Sequence, residues 1–477
     1  KGPVFCPASQ GSVVMRHLAA VSAVTLAASA DRGLGTLPLS VAEQLRRQFG
    51  SFEFEVLPVD ESLAEEAFEV KCQNGTSTVL GGSRRGVLFG VYELARAAGY
   101  GFLHPSYPLE PPSPRWCHSL RSPAAAPKGH GLGAAVRGTH LHTQHPIELA
   151  DVLNGVGRGG VEEEGDWAAG LPAWTQYLQW LVANKQNLVE WALLEWPGSH
   201  GFSTSAVRQR RLGRLVDMAH DWGLRVSIDA PVNLQQQHAW RLQTGEGGGG
   251  WEAVSGRLDW LCATGVDMVS TEIGSTEFSH TDPATTIKLL NSIADHLGAR
   301  GKQLIVKNHA STSQFAKGYK DPLEPSRDLN FNYITYYADE RVIGAPHTVQ
   351  MYSLADPLVG SYGRQNYTDI RAMMGLLEKE GKPQVFFPET AYWVDFDNSV
   401  PVFLPLYAAD RLRDVEILAV EAPSAGHLNF ESGWAFGYWL NNAAQAWAAW
   451  HRGPGPAGMP TPPGPEGRIH GLFRALL

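Results

Sequence analysis

Two glutamates follow short apolar runs that are typical of buried strands. Glu272 comes after residues 266–269, and Glu389 ends residues 384–389. A strand of a parallel barrel is buried on both sides, so a carboxylate belongs at its carboxyl end, where the loops form a site. Cleavage of a glycosidic bond needs a proton donor and a base or nucleophile, and two carboxylates supply both. We therefore predict Glu272 and Glu389 as the catalytic pair.

Further polar and aromatic side chains stand near the predicted strand ends or in the loops that follow them. They offer hydrogen bonds to hydroxyl groups and apolar ring faces on which a sugar stacks. We expect them to converge on one concave surface at the carboxyl ends of the strands. The predicted substrate-binding residues are Arg137, His140, His142, Asp229, Lys307, His309, Tyr352, Trp393, Glu431 and Trp434.

The elements that position these residues alternate between strand and helix patterns from residue 134 to residue 450, which is typical of a parallel α/β fold. From the fourth strand onward the runs start at residues 266, 303, 348, 384 and 426, a regular βα rhythm. This pattern predicts a (β/α)8 TIM barrel over residues 134–450. The eight predicted strands are residues 135–141, 188–194, 224–229, 266–269, 303–309, 348–352, 384–389 and 426–431.

Residues 1–125 have the pattern of a small α/β (α+β) accessory domain. Runs at 21–27, 52–57, 67–72 and 78–81 predict strands, and residues 41–49 predict an amphipathic helix. Ser83 is placed to cap a second helix, which Gly99 ends. Proline and serine become frequent between residues 108 and 128, as in a linker. The Pro/Gly-rich residues 451–477 predict a C-terminal tail.

The second helix and the strand after it carry a motif. It resembles the N-terminal accessory domain that precedes the barrel in family 20 glycoside hydrolases and α-glucuronidases. The resemblance implies a glycosidase barrel after residue 134 and no catalytic residue in the accessory domain. The matching residues are Gly86, Gly90, Tyr92, Leu94, Gly101, Phe102, Leu103 and Pro105.

The two glutamates resemble the layout of the largest clan of retaining barrel glycosidases. This resemblance implies that Glu272 on the fourth strand is the general acid/base and that Glu389 on the seventh is the nucleophile. The sequence departs from that clan because Thr271 stands where its members have asparagine. Family 20 enzymes have Asp-Glu at the fourth strand, and here Ser270 and Thr271 precede Glu272. The N-acetylhexosaminidase interpretation is therefore weakened.

Two other interpretations stay open. His140-Leu-His142, with His309 and His347, resembles the ligand set of metal-dependent amidohydrolase barrels. Two ligands of that set have no counterpart, since the fourth strand ends without lysine and the eighth without aspartate. The third interpretation is a carbohydrate-binding barrel that has lost its activity. Under the main hypothesis we expect a carbohydrate substrate, no metal and no cofactor.

Composition limits the partners and suggests the compartment. The net charge of -9 argues against nucleic acid, which needs clustered lysine and arginine. No apolar run of about 18 residues is present, so we expect no membrane insertion. A signal-like stretch at residues 15–30 and glycosylation sequons at Asn74 and Asn366 favour a secreted protein. Four cysteines without a CxxC pair leave a disulfide open.

Overall fold

The computed structural model describes residues 37–50, 54–122, 136–145, 147–157, 164–195, 201–234, 238–244, 250–274, 279–391, 406–432 and 435–450. The predicted strand at 21–27, the boundary between the two units and the C-terminal tail lie outside these residues. The division into domains at those boundaries therefore stays a prediction. None of the described helices is long and apolar enough to cross a membrane.

The N-terminal unit is a four-stranded sheet covered by a helix. Its sheet has the order β1-β3-β2-β6, and β4 and β5 form a separate hairpin. The strands are β1 Phe54–Val56, β2 Phe68–Gln73, β3 Thr76–Gly81, β4 Gly101–His104, β5 Tyr107–Leu109 and β6 Leu120–Arg121. The helices are α1 Leu39–Phe49 and α2 Arg84–Ala97.

Helix α2 begins as the sequence predicts, because the Ser83 hydroxyl accepts a hydrogen bond from the Gly86 backbone N–H. Its apolar face includes Val87 and Val91, which are fully buried. Gly90 lets the helix lie close to the sheet, since a Cβ there would stand 2.8 Å from Cγ1 of Val79. This part of the matching motif therefore serves packing.

The second unit is a closed parallel barrel, which confirms the predicted fold. Its strands are β7 Arg137–Leu141, β8 Leu188–Ala192, β9 Arg225–Asp229, β10 Met268–Thr271, β11 Gln303–Asn308, β14 Val342–Thr348, β15 Val385–Ala391 and β16 Gly426–Glu431. A short hairpin, β12 Phe315–Lys320 and β13 Asp328–Asn330, lies between β11 and β14.

Helices surround the barrel in the expected alternation. The described helices of this unit are α3 Ala150–Leu153, α4 Glu164–Ala168, α5 Leu171–Ala183, α6 Ala206–Asp221, α7 Gly250–Cys262, α8 Pro283–Gly298, α9 Thr368–Glu380, α10 Leu406–Glu421 and α11 Trp439–Trp450, with 3-10 turns at Phe331–Tyr337 and Ala435–Tyr438.

Side chains alternate between the inside and the outside of the barrel, as the pleat of a strand requires. The apolar cluster within the barrel includes Leu188, Ile305, Val385 and Leu428. Counting by twos from these residues toward the carboxyl ends identifies the inward-facing positions of the mouth. The residues at those positions are His140, His142, Glu190, Asp229, Ser270, Glu272, Lys307, His309, His347, Glu389 and Phe430.

The position of the sixth strand was wrong in the sequence prediction. The strand is Val342–Thr348 rather than residues 348–352. Gly344 and Pro346 lie inside it, and both residue types usually argue against a strand interior. The structure therefore places Tyr352 in the segment after the strand, where it packs half-buried against the main hydrophobic core.

Candidate active site

A buried ion cluster lies at the base of the barrel mouth. The Lys307 ammonium on β11 stands 2.6 Å from Oδ2 of Asp229 on β9 and 3.5 Å from Oε1 of Glu190 on β8. Burial alone would lower the pKa of Lys307, but the charges of Asp229, Glu190 and Glu272 raise it above its usual value. Lys307 therefore stays a cation across the physiological range.

Glu190 is the inward carboxylate of β8, and it is fully buried. Burial would raise its pKa, but the Lys307 charge and the hydrogen bond with His140 lower that pKa to about 2. A charged carboxylate can only accept hydrogen bonds, so Nδ1 of His140 donates a hydrogen bond to Oε1 of Glu190 over 2.7 Å. The sequence prediction missed Glu190, although a lone carboxylate in an apolar strand is the signal that could have found it.

His140 and His142 continue this network toward the mouth. Burial and the Lys307 charge lower the pKa of His140, while Glu190 and Asp229 raise it by smaller amounts. The ring is therefore neutral with its proton on Nδ1, and its Nε2 lies 3.2 Å from Nδ1 of His142. Phe430 packs against both rings, with centroid distances of 5.5 Å and 4.7 Å. The orientation of His142 is thus fixed by residues of β7, β8 and β16.

Glu389 and His347 form a second polar pair at the mouth, on the neighbouring strands β15 and β14. Oε1 of Glu389 stands 3.6 Å from Nε2 of His347, and Oε2 accepts a short hydrogen bond from the Gln350 backbone N–H. The opposite ring nitrogen of His347 donates to the Phe387 carbonyl over 2.7 Å. Burial lowers the pKa of His347 to about 4. The ring is therefore neutral near pH 7 and turns an unprotonated Nε2 toward Glu389.

Glu272 directly follows β10, whose observed range Met268–Thr271 lies two residues beyond the predicted one. Its backbone carbonyl accepts from the Val232 N–H over 3.1 Å, which anchors this turn to the loop after β9. The side chain is half-buried, and its charge contributes to the raised pKa of Lys307. Glu272 thus faces the barrel mouth near the ion cluster.

His309 follows β11 on the same inward side as Lys307. The Ser311 backbone N–H donates to its Nδ1 over 3.0 Å, so this nitrogen carries no proton. Burial and the neighbouring His347 and Arg364 lower the pKa of His309 to about 3. Its ring centroid lies 6.1 Å from that of His347. The structure therefore brings His309 to the side of the mouth where Glu389 lies.

Arg137 does not join this site, which corrects its predicted placement. It opens β7 at the amino end of the barrel, and its guanidinium contacts Oε2 of Glu66 at 2.5 Å in the N-terminal unit. Burial would raise the pKa of Glu66, but Arg137 and Arg85 lower it. The Asn187 amide also donates to Glu66 over 2.8 Å. Arg137 therefore joins the two units at the end opposite to the mouth.

Glu431 is the second correction, because it faces outward from the barrel. It follows the inward-facing Phe430, and successive residues of a strand face opposite sides. Burial and the charge of Glu148 raise the pKa of Glu431 well above its ordinary value, although a hydrogen bond with Asn442 of α11 lowers it. Burial also raises the pKa of Tyr177 of α5 well above its ordinary value, and Glu431 adds to that rise. Glu431 therefore lies between the strands and the outer helices.

The remaining predicted residues fall into two groups. Tyr352 lies beside β15, because the Arg411 guanidinium donates to the Tyr352 carbonyl over 2.5 Å and to the Glu389 carbonyl over 2.6 Å. Trp393 and Trp434 lie outside the described residues. The structure thus brings together seven of the twelve predicted site residues at inward positions of the mouth, and these are His140, His142, Asp229, Glu272, Lys307, His309 and Glu389. Their catalytic and binding roles stay predictions.

The histidines of the amidohydrolase alternative have other partners here. His140 is bound to Glu190 and His142, and the Lys307 ammonium lies 3.4 Å from its Nδ1. The Nδ1 side of His140 therefore faces Glu190 and the Lys307 ammonium. Within the described part of the chain, no group of three His, Cys, Asp or Glu residues is arranged to bind a metal.

Comparisons with known proteins agree on the fold. No family model and no curated protein matches the sequence. Among solved structures, the chain is similar to a GH20 exo-β-N-acetylglucosaminidase from Vibrio harveyi, with 13% identity, a TM-score of 0.53 and coverage of 91% of this chain and 71% of that one. For a β-N-acetylhexosaminidase from Bacteroides fragilis the values are 11%, 0.53, 85% and 80%.

A GH138 enzyme that targets pectin rhamnogalacturonan II is also similar, with 11% identity, a TM-score of 0.50 and coverage of 87% of this chain and 49% of that one. At such identities the likeness establishes the fold alone. The fold shared with family 20 enzymes confirms what the N-terminal motif implied about architecture.

Proposed function

We propose that this protein is a glycoside hydrolase whose glycan substrate binds at the carboxyl ends of the barrel strands. The observation that carries the proposal is that Glu272 and Glu389 both occupy inward positions of one mouth, at the ends of β10 and β15, which β11 and β14 separate. Most glycoside hydrolases cleave the glycosidic bond with two carboxyl groups that flank it. The fold shared with several glycoside hydrolases supports the same conclusion.

In the proposed reaction, Glu272 donates a proton to the glycosidic oxygen while the bond between that oxygen and the anomeric carbon breaks. Glu389 attacks the anomeric carbon and forms a glycosyl ester. Glu272, now a carboxylate, takes a proton from water, whose oxygen attacks the same carbon and releases Glu389. Both glutamates return to their first states, and water is the sole co-reactant.

The surroundings of Glu389 support its role as nucleophile. The Gln350 N–H stabilises negative charge on Oε2. The Arg411 guanidinium binds the Glu389 carbonyl and thereby holds this part of β15 in place. The Lys307 ammonium and the Asp229 carboxylate, held together at the base of the mouth, are the charged donor and acceptor nearest to a sugar that binds there.

A panel of chromogenic aryl glycosides tests the proposal. We expect hydrolysis of at least one glycoside by the wild type, and a loss of about 100- to 10,000-fold in kcat/KM in E272Q, the range for removal of an acid–base group. E389Q should lose at least as much, because its side chain cannot form the glycosyl ester. Glu340→Gln is the matched control, because Glu340 is exposed and stands two residues before β14, at the end of the barrel opposite to the mouth.

Azide separates the two roles. In a retaining enzyme, azide added to E272A yields a glycosyl azide of retained configuration, whereas azide added to E389A yields the inverted one. Exchange of these outcomes would reverse the assigned roles. A folded wild type that binds sugars but hydrolyses no glycoside of the panel would instead favour the carbohydrate-binding barrel without activity.

We also propose that the protein works in an oxidising compartment, outside the cytosol. The disulfide between Cys72 on β2 and Cys117 supports this, since such bonds persist mainly in secreted proteins. Asn74 of the first sequon is exposed in the turn between β2 and β3. Mass spectrometry of protein from its native source would detect a glycan there, and a reduced Cys72 in that material would contradict the proposal.

A further inference from the structure

A small cavity lies on the outer wall of the barrel, between the N-terminal unit and α5. Its volume is about 190 Å³. At roughly 30 Å³ for each water molecule, this space holds about six waters. Its barrel side comes from the second half of α5, which leads to the amino end of β8. The cavity is therefore at the opposite end of the barrel from the mouth that holds Glu272 and Glu389.

The walls of this cavity are held rigidly. The Trp180 indole N–H donates to the Leu103 carbonyl over 2.8 Å, and the Asn184 amide donates to the Phe102 carbonyl over 3.0 Å. Arg96 of α2 donates to the Asn184 amide oxygen over 2.8 Å. These bonds fix β4 against α5, so the shape of the cavity exists before any ligand binds.

Amide side chains dominate the polar lining. Gln44 and Gln48 come from α1, and Gln176 and Gln179 from α5. The Tyr92 hydroxyl donates a hydrogen bond to the amide oxygen of Gln48 over 3.4 Å. The amide nitrogen of Gln48 has no hydrogen-bond partner among the described residues. Four glutamines around one space offer both donors and acceptors without a net charge.

Gln179 is the member of this set that packing does not explain. Only 7% of the residue is exposed, and its amide nitrogen is closed off from solvent without a hydrogen-bond partner in the described structure. An unpaired buried donor destabilises a fold, so such groups usually have a partner. Rotation about the last bond of the side chain, which is soft, turns this amide toward the cavity that the residue lines.

We propose that this cavity is a second carbohydrate-binding site, for one neutral sugar unit, separate from the barrel mouth. Paired hydroxyl groups match the donor and acceptor of a glutamine amide. The charged lining residues Arg47 and Glu110 balance each other, which favours a neutral ligand over an anion. Trp180 and Phe102 border the same space but are only 4% and 3% exposed, so they close its apolar side and leave recognition to the amides.

Saturation-transfer NMR with glucose, galactose, mannose and N-acetylglucosamine tests the proposal on the full-length E272Q/E389Q protein. This background removes catalysis, so the outcome does not depend on the proposed hydrolase activity. We expect one of the four sugars to bind and Q179L to weaken that binding about tenfold, as the loss of one buried hydrogen bond would. The surface double variant Q44A/Q176A should weaken it as well, and serves if Q179L folds poorly.

Gln73→Ala is the matched control, because Gln73 is an exposed glutamine of the N-terminal unit outside the cavity. It should leave the affinity unchanged. A sugar whose affinity is equal in the parent, Q179L and Q44A/Q176A proteins binds elsewhere, and this result would overturn the proposal. Absence of binding by all four sugars would overturn it too.

Discussion

Replacement of Lys307 by methionine is the sharpest test of the ion cluster at the base of the mouth. The ammonium stands 2.6 Å from Asp229 and 3.5 Å from Glu190, and the three side chains are at most 4% exposed. Methionine keeps most of the volume and removes the charge, so K307M leaves two carboxylates buried without their counter-ion. Removal of one partner from a buried ion pair costs about 3–5 kcal/mol. We expect this loss in the free energy of unfolding at pH 7.

The loss should shrink as the pH falls. In the wild type the pKa of Glu190 in the folded state is about 2, below its unfolded value, so its contribution to stability is present at neutral pH and is lost only as the pH falls toward 2. In K307M the ammonium no longer offsets the effect of burial, the largest influence on Glu190, and we expect the pKa of Glu190 to rise above the unfolded value. Protonation then relieves the penalty, and the difference from wild type at pH 5 should be smaller than at pH 7.

Urea denaturation followed by tryptophan fluorescence at both pH values measures this difference. Lys320→Met is the matched control, because Lys320 pairs with Asp328 at 3.0 Å on the surface and its side chain is 59% exposed. The control should lose less than about 1 kcal/mol. The double variant K307M/D229N should recover part of the loss. Equal losses in K307M and K320M, or a loss that does not change with pH, would refute the reasoning.

Three further predictions concern other parts of the chain. R137M should lower the free energy of unfolding by about 2–3 kcal/mol, since Glu66 loses a charged partner. Its kcat/KM should not change, because this contact lies at the end of the barrel opposite to the mouth. Urea titration measures the first effect and steady-state kinetics the second. C72S/C117S should destabilise the N-terminal unit by about 4 kcal/mol, because the disulfide closes a loop with a sequence separation of 45. Calorimetry would measure this loss. His347 has a pKa of about 4 in the folded state, below that of a free histidine, so the free energy of unfolding falls as the pH drops from about 6.5 to 4. In H347Q the dependence of this free energy on pH should be smaller by about 1.4 kcal/mol per pH unit. Urea denaturation at several pH values between 4 and 6.5 measures the difference.

The fold could be predicted from sequence because every barrel strand is buried on both faces. Apolar runs such as Leu304–Val306 therefore mark strands whatever their partners are. The sixth strand could not be predicted in this way, because it contains residue types that usually end strands. Gly344 and Pro346 hid the true sixth strand, and the next β-prone run was taken in its place. The error placed the start of the strand six residues too late and its end four residues too late. The count of eight strands did not change, so the architecture was still correct.

Site residues were predicted less well, because nearness to a strand end decides only half of the geometry. The other half is the side of the strand, which alternates with every residue. Arg137 is three positions from His140, and Glu431 is one position from Phe430, so neither can share the inward side with these neighbours. Counting by twos from the apolar interior would have moved both residues out of the predicted site.

The same count would have identified Glu190, and this residue changes how the mouth is understood. It is two positions from Leu188 in the apolar interior, so the sequence commits a carboxylate to the inside of the barrel. A buried charge needs a partner, and inward residues at the same height on nearby strands are the available ones. Lys307 and His140 meet that need and are themselves oriented by it. The layer of charge between the apolar interior and the open mouth is therefore a consequence of burial, and it fixes the positions of His140, Asp229 and Lys307 before a substrate arrives.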